Sequence, residues 1–249
     1  MKVFFKRIAS DIKYYFSVPK CTSCREPLDK GGLPLCRECH KAYTRTLDRQ
    51  CSLCGRRLSL CSCAGEFLKS HGISGHIKLF RYDNREENRA ANSLIYSAKS
   101  SARKDNTNFL AGELALAVKF NLQKIENAVI TSIPRRPGAI RKYGFDHAER
   151  LARALALELG IEYIPLLNSG AKRQQKKMSR EKRIENASFT LTASPDLTGK
   201  VVLIVDDVVT SGASMSVAAG KIKTLGKRIK IYAVSVALAY RDEFDYVYF

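Results

Sequence analysis

Two arrangements in this chain have residue types and spacing that could do chemistry. One is "VVLIVDDVVTSGASM", Val201–Met215, where two adjacent acids end an apolar run and small hydroxyl residues follow. Neighbouring carboxylates accept hydrogen bonds from two adjacent hydroxyls, as on a ribose, so Asp206 and Asp207 are candidate sugar-binding residues. Thr210, Ser211, Gly212, Ala213 and Ser214 then read as a turn into a helix. Such a turn offers backbone N–H groups, hydroxyls and the positive end of the helix dipole to a monophosphate. Gly212 lets the backbone come close. Acids followed by a phosphate loop describe a ribose 5-phosphate site.

The other arrangement is a run of four cysteine pairs: Cys21 with Cys24, Cys36 with Cys39, Cys51 with Cys54, and Cys61 with Cys63. All eight cysteines of the chain lie within it, which marks a local module rather than a disulfide framework. Two C-x-x-C turns present four thiolates to one tetrahedral metal, and zinc bound there stabilises a segment with little core of its own. The run therefore predicts one or two zinc ions. Sequential pairing, 21/24/36/39 and 51/54/61/63, keeps the loops short; the sequence also admits interleaved pairing, or free thiols at the tight Cys61–Cys63 pair. The histidines, His40 included, read as non-ligands because eight cysteines already fill two tetrahedra. "CTSCREPL" and "CSLCGRRL" resemble each other, which suggests two zinc ribbons in tandem.

The elements that position these groups follow from patterning. "HIKLFRYDN" reads as a strand, 86–100 and 107–120 as helices with Leu94, Ile95, Phe109, Leu110, Leu114 and Leu116 as core, and Val129–Ile133 as a strand. Asp146–Leu159 reads as a helix, "IEYIPLL" as a strand, Val201–Val205 as a buried strand, Ser214–Leu225 as a helix and Ile229–Leu238 as a last strand. Strands alternating with helices predict an α/β fold, a mostly parallel sheet with helices on both faces. Its ligands belong at the carboxyl ends of the strands. The expected organisation is a 1–20 amphipathic segment, a 21–65 cysteine-rich module and a 70–249 α/β domain, with metal removal unfolding only residues 21–63. Asn168–Gly199 is long and poor in apolar residues, and such a loop usually has a task.

Charge narrows the partners. The chain of 249 residues carries a formal +19, so polyanions such as nucleic acid, or an anionic membrane surface, are plausible partners. "KRQQKKMSREKR", Lys172–Arg183, holds seven basic residues against one acid. The start lacks an apolar core of signal-peptide length and no later stretch reaches transmembrane length, which with the cysteine clusters predicts a cytosolic protein. Phe4, Ile8, Ile12 and Tyr15 share one helical face that would pack on the protein itself or touch a membrane surface.

Val201–Met215 resembles the phosphoribosyl-diphosphate signature of type I phosphoribosyltransferases. With "PRRPGAIRKYGFDHAERLARALA" from Pro134, "QKKMSREKRIENASF" from Gln175 and the cysteine array, the whole is similar in order and spacing to the ComF family of competence-associated proteins. The resemblance implies a phosphoribosyltransferase-like sheet with an N-terminal double zinc ribbon. It gives Asp206 and Asp207 to the ribose, the Thr210–Ser214 loop to the 5-phosphate, and Pro134, Arg135, Arg136 and Pro137 to the diphosphate side, with magnesium accompanying phosphoribosyl diphosphate. Arg141, Gly144 and Phe145 match the family's Arg-Gly-Phe segment, Gln175, Arg183 and Asn186 its spaced Gln, Arg and Asn, and Lys99 its lysine. Tyr143 stands where the family usually has Arg, and Asp146-His147 where it usually has Asn-Gln.

Two functions follow from the resemblance. One is a cytosolic factor of natural transformation that receives single-stranded DNA at the inner membrane, beside DNA-uptake proteins there. Arg141, Lys142, Lys172, Arg173, Lys176, Lys177, Arg180 and Arg183 would contact phosphates, and Tyr143, Phe145 or Tyr163 would stack bases. The other is an enzyme that transfers phosphoribosyl to a nitrogen acceptor, with the long basic loop as its flap. No base-binding segment or general base is recognisable for it.

Overall fold

Val202, Leu203, Ile204 and Val205 are all fully buried, because the strand they form is covered on both faces. The computed structural model describes residues 18–29, 32–100, 104–170 and 189–239. The Phe4–Tyr15 face, Gln175, Asn186 and six DNA-contact candidates (Lys172, Arg173, Lys176, Lys177, Arg180, Arg183) lie outside the described residues.

The sheet is built from β1 (Gly75–Tyr82), β2 (Ala128–Ser132), β3 (Glu162–Tyr163), β6 (Val201–Val209) and β7 (Lys230–Ala239), in the order β1-β7-β6-β2-β3 with every pair parallel. A two-stranded antiparallel ribbon, β4 (Leu167–Ser169) with β5 (Phe189–Leu191), stands apart from it. The helices are α1 (Arg37–Leu47), α2 (Glu66–Ser70), α3 (Arg89–Ser100), α4 (Lys104–Asn121), α5 (Pro137–Tyr143), α6 (His147–Leu159) and α7 (Ala213–Lys223). On one face Leu203, Val205 and Val234 pack with Leu94 of α3, Leu110 and Leu114 of α4, and Leu151 and Leu155 of α6. On the other, Val202, Ile204 and Ala233 pack with Leu68 of α2 and with Met215, Ala218 and Ile222 of α7. This is the α/β architecture the sequence predicts.

Several boundaries differ for physical reasons. "IEYIPLL" is not one strand, because Pro165 has no N–H to continue the ladder; pairing with β2 ends as Ile164 N donates to Ile130 O at 2.8 Å, and the chain turns into β4. Leu116 is 67% exposed rather than core, since Leu110, Leu114, Ala117 and Val118 form the buried stripe and position 116 points away. The stretch 86–100 splits into a 3₁₀ turn, Glu86–Asn88, and α3. Helix α5 has no counterpart among the expected elements: only seven residues long, it is started by Pro137 and stopped by Gly144 at φ 79°.

The cysteine-rich segment shares the core of the sheet. Cys21, Leu35 and Tyr43 lie in one cluster with Phe80, Leu94 and Leu110. The Tyr43 ring meets Phe80 edge-on at 6.3 Å and Phe109 at 5.4 Å, and its phenol donates to Glu113 Oε2 at 3.3 Å. Thr22 Oγ1 donates to Asn106 Oδ1 at 3.0 Å. β1, an edge strand, is shielded by the same segment, with His76 N donating to Ser62 O at 2.9 Å.

Candidate functional site

The two cysteine turns are built alike. Cys21 N donates to Glu26 O at 2.7 Å and Cys51 N to Arg56 O at 2.7 Å. Arg25 N reaches back to Cys21 O at 3.1 Å, and Gly55 N to Cys51 O at 2.8 Å. The left-handed residue of each turn is Arg25 (φ 70°) in one and Gly55 (φ 69°) in the other. The sulfurs gather in sequential sets, Cys21/Cys24/Cys36/Cys39 and Cys51/Cys54/Cys61/Cys63, each within 4.8 Å, and each set could hold a metal ion.

The thiols within each set differ in acidity. Burial pushes Cys21 up, but N–H groups of Cys36, Cys24 and Ser23 outweigh it and bring the thiol down to about 7. Burial and the neighbouring thiols of Cys24 and Cys36 push Cys39 up to about 12, and burial with the Cys54 thiol does the same to Cys63. Four crowded sulfurs cannot all ionise alone; a tetrahedral metal removes that conflict.

At the other site β6 runs past the acids to Val209, so Asp206 and Asp207 lie inside the strand and not beyond its end. They lie where its neighbour stops: β2 pairs with β6 as far as Ser132–Val205, and beyond that β6 pairs on with β7, through Asp206–Ser235 to Val209–Leu238. Asp207 continues the face of Leu203 and Val205 toward the helices. There its Oδ2 meets Lys99 Nζ of α3 at 3.0 Å and His147 Nε2 of α6. Burial pushes the Asp207 carboxyl up, but the hydrogen bond with His147 and the Lys99 ammonium outweigh it and hold it well below the usual carboxylate range. Burial and then the Asp207 charge push Asp206 well above that range. His147, Asp206 and Asp207 offer ligand atoms within 4.8 Å of one another, and His147 Nδ1 is buried without a hydrogen-bond partner among the described residues.

Past β6 the chain turns through Thr210 and buried Ser211 into α7, whose N-cap Gly212 has φ 75° and no side-chain cap. The first N–H groups of α7 are thus left to Ser211 Oγ, 3.5 Å from Ala213 N, or to a ligand. A Cβ at Gly212 would stand 2.7 Å from Leu68 Cδ2, so α2, which begins three residues after Cys63, forms the floor of this turn.

The Pro134–Arg136 loop leaves β2 beside the acids. Asp146 secures it, accepting from Arg135 N at 2.7 Å while capping α6 through Ala148 N and Glu149 N. Arg135 Nη1 is buried without a hydrogen-bond partner among the described residues, its guanidinium 5.1 Å from the Tyr143 ring. Around it lies a face of alternating cations and rings, with Arg150 over Phe145 at 3.6 Å and Arg153 over Tyr163 at 4.3 Å. Tyr143, Arg141 and Lys142 are exposed, whereas Phe145 and Tyr163 are half-buried and the Tyr163 hydroxyl is engaged with Ser132. Two clefts of about 360 Å³ flank the first cysteine set, one of them lined by Thr22, Asp105 and Asn106. Both are remote from the acid pair in the lining residues.

The roles of Lys99 and His147 at Asp207 escape residue-by-residue reading, because they come from helices far away in sequence. The signals in the sequence are Lys99, which matches the resembling family's lysine, and His147, in a position that family fills with an amide. Residues 106–248 match the family described as Phosphoribosyl transferase domain. The chain is 24% identical over 196 residues to "Competence protein ComFC" of Streptococcus pneumoniae, covering 79% of this chain and 77% of that protein. Among solved structures, it is similar to a purine phosphoribosyltransferase from Pyrococcus horikoshii (20% identity, 54% of this chain and 82% of that one, TM-score 0.32). Another is a hypoxanthine-guanine phosphoribosyltransferase from Bacillus anthracis (13% identity, 56% and 80%, TM-score 0.34).

Proposed function

The chain belongs to the phosphoribosyl transferase domain family, and from that premise we propose that it binds phosphoribosyl diphosphate and handles single-stranded DNA in natural transformation. The observation that carries the first half is the pairing of Asp206 and Asp207, at the point where β2 ends, with the uncapped turn at Gly212. The acids take the ribose hydroxyls, the Thr210–Ser214 turn the 5-phosphate, and Pro134, Arg135 and Arg136 the diphosphate side. Magnesium arriving with the diphosphate would neutralise its charge, and the ionised Asp207, with the oxygens of Asp206 beside it, suits that ion. Zinc is the metal best matched to each four-cysteine set. Calorimetry of phosphoribosyl diphosphate with the full chain tests the pocket: Asp206→Asn with Asp207→Asn should cost about 3 kcal/mol, the scale of lost charge-assisted bonds. Unchanged affinity rejects the pocket.

The DNA half rests on the net +19, the likeness to a protein named for competence, and the ring-and-cation face around Tyr143. Arg141 and Lys142 of α5 contact phosphates and exposed Tyr143 stacks a base, with the 172–183 segment adding charge. No helix among the described residues is long and apolar enough to cross a membrane; work at the cytosolic side of the inner membrane, next to DNA-uptake proteins, belongs to the same proposal. A salt titration of single-strand binding should give a steep negative slope, and a flat slope removes this half. The unpartnered Arg135 Nη1 and the Lys99 ammonium beside the acids favour a second reading, transfer of phosphoribosyl to a nitrogen acceptor, because both could stabilise a leaving diphosphate. Diphosphate release that depends on Asp206 and Asp207 would establish that reaction.

A further inference from the structure

Lys78 sits in the middle of β1, between Ile77 and Leu79, and is only 2% exposed. A lysine ammonium has three donors and no acceptor. Here all three are used: Nζ lies 3.3 Å from Cys61 Sγ, 2.7 Å from Cys63 O and 3.1 Å from His76 O. Two of these acceptors belong to the second cysteine set. Among the described residues no carboxylate pairs with Lys78. A buried charge without a counter-charge is costly, and the two carbonyls supply dipoles but no net charge. With a metal bound at the second set, the Cys61 thiolate would be the anion in contact. A four-thiolate site around a divalent metal carries a formal charge of about −2, so it supplies what the lysine lacks, and the lysine offsets part of what the site has in excess. At the first set Cys21 Sγ accepts instead from a backbone group, Cys36 N at 3.3 Å.

We propose that Lys78 is a positioning residue for the metal of the second cysteine set. It fixes Cys61 through a hydrogen bond to its sulfur and balances the thiolate charge, joining that metal to the edge strand of the sheet. The step from local module to sheet is then electrostatic as well as apolar at the second set. The feature is independent of what the acid pair binds.

The test loads the full chain with ¹¹³Cd, whose resonance reports the thiolate environment, and assigns the two signals with Cys24→Ser and Cys54→Ser. Lys78→Met should shift the second-set signal, leave the first in place and weaken metal affinity at the second set about 10–100-fold, as loss of an outer-shell partner does. Lys78→Arg, which keeps the charge and the donors, should restore both the signal and the affinity substantially. Two unmoved signals with affinities within about threefold of the parent overturn the proposal, as does a shift confined to the first set. If Lys78→Met fails to fold, the Arg variant decides. A folded Lys78→Arg chain with the parent-like second-set signal supports the role, and an Arg chain that folds no better than Met, or whose second site no longer holds cadmium, refutes it.

Discussion

Gly212→Ala tests whether the Thr210–Ser214 turn depends on its contact with α2. The new methyl would stand 2.7 Å from Leu68 Cδ2 and 3.2 Å from Phe67 Cδ1, and it would sit on a residue with φ 75°. The left-handed backbone costs a non-glycine residue about 1–2 kcal/mol, and overpacking against Leu68 adds about 1–3 kcal/mol. The variant should therefore lose roughly 2–5 kcal/mol, and phosphoribosyl diphosphate should bind at least about tenfold more weakly because the turn must move. Leu68→Ala alone leaves a cavity worth about 2–5 kcal/mol, yet in the double variant that cavity accepts the methyl. The double variant should thus be about 1–3 kcal/mol less damaged than the sum of the single ones, the signature of residues in contact. Urea unfolding gives the stabilities and calorimetry the affinities. Additivity within about 0.5 kcal/mol would refute the claim that α2 is the floor of the turn.

Chelating the metal should unfold more than residues 21–63, because Cys21, Leu35 and Tyr43 share a core with Phe80 and Leu110; hydrogen exchange should show protection lost in β1 and α4 as well, and full protection there would contradict the shared core. Asp83 joins the cysteine segment to the end of β1 through Arg49 at 2.8 Å, and although burial pushes its carboxyl up, Arg85 and Arg49 bring it down to about 2. A carboxyl depressed on folding stabilises above its unfolded value, here 3.8, and loses that contribution as pH falls toward about 2, so the difference in unfolding free energy between the parent and Asp83→Asn should shrink by about 2 kcal/mol across that window. A difference constant with pH would assign the loss to packing instead. Tyr143→Ala should cost single-strand binding about 1–3 kcal/mol at any salt, while Arg141→Ala should lower the salt slope by about one; the reverse pattern would exchange their roles.

What the sequence made legible is what neighbours along the chain decide. The apolar run of β6, the acids after it, the hydroxyl turn and the cysteine pairs each state their chemistry within a few residues, and the sheet they imply is the one formed. What stayed hidden depends on parts far apart in sequence. The contact of Lys78 with the second cysteine set has no sign in the sequence beyond "HIKLF", a lysine flanked by apolar residues on both sides. Leu116 looked apolar enough for the core, and only the choice of the 110/114/118 stripe turned it outward. The short α5 was obscured because Pro137 and Gly144, read singly, suggest a loop.

Lys99 and His147 change what the acid pair can do. Read from sequence, Asp206 and Asp207 are two equivalent acceptors for two hydroxyls. In the fold they are unlike: Lys99 and His147 hold Asp207 ionised, while burial and the Asp207 charge hold Asp206 toward its neutral form. The pair is then unequal in charge, with the stronger acceptor at Asp207, facing hydroxyls able to donate and accept in turn. The two positions should therefore answer differently to the same change. Asn resembles a neutral carboxylic acid in size, charge and ability to donate, so Asp206→Asn should weaken binding of phosphoribosyl diphosphate without magnesium by less than about threefold. Asp207→Asn removes the charge that Lys99 and His147 surround and leaves both facing a neutral group, which should cost about 2–3 kcal/mol or more. Calorimetry on the two single variants separates the cases. Equal losses at both positions would mean that the ligand meets two ionised carboxylates, and that Lys99 and His147 do not divide their roles.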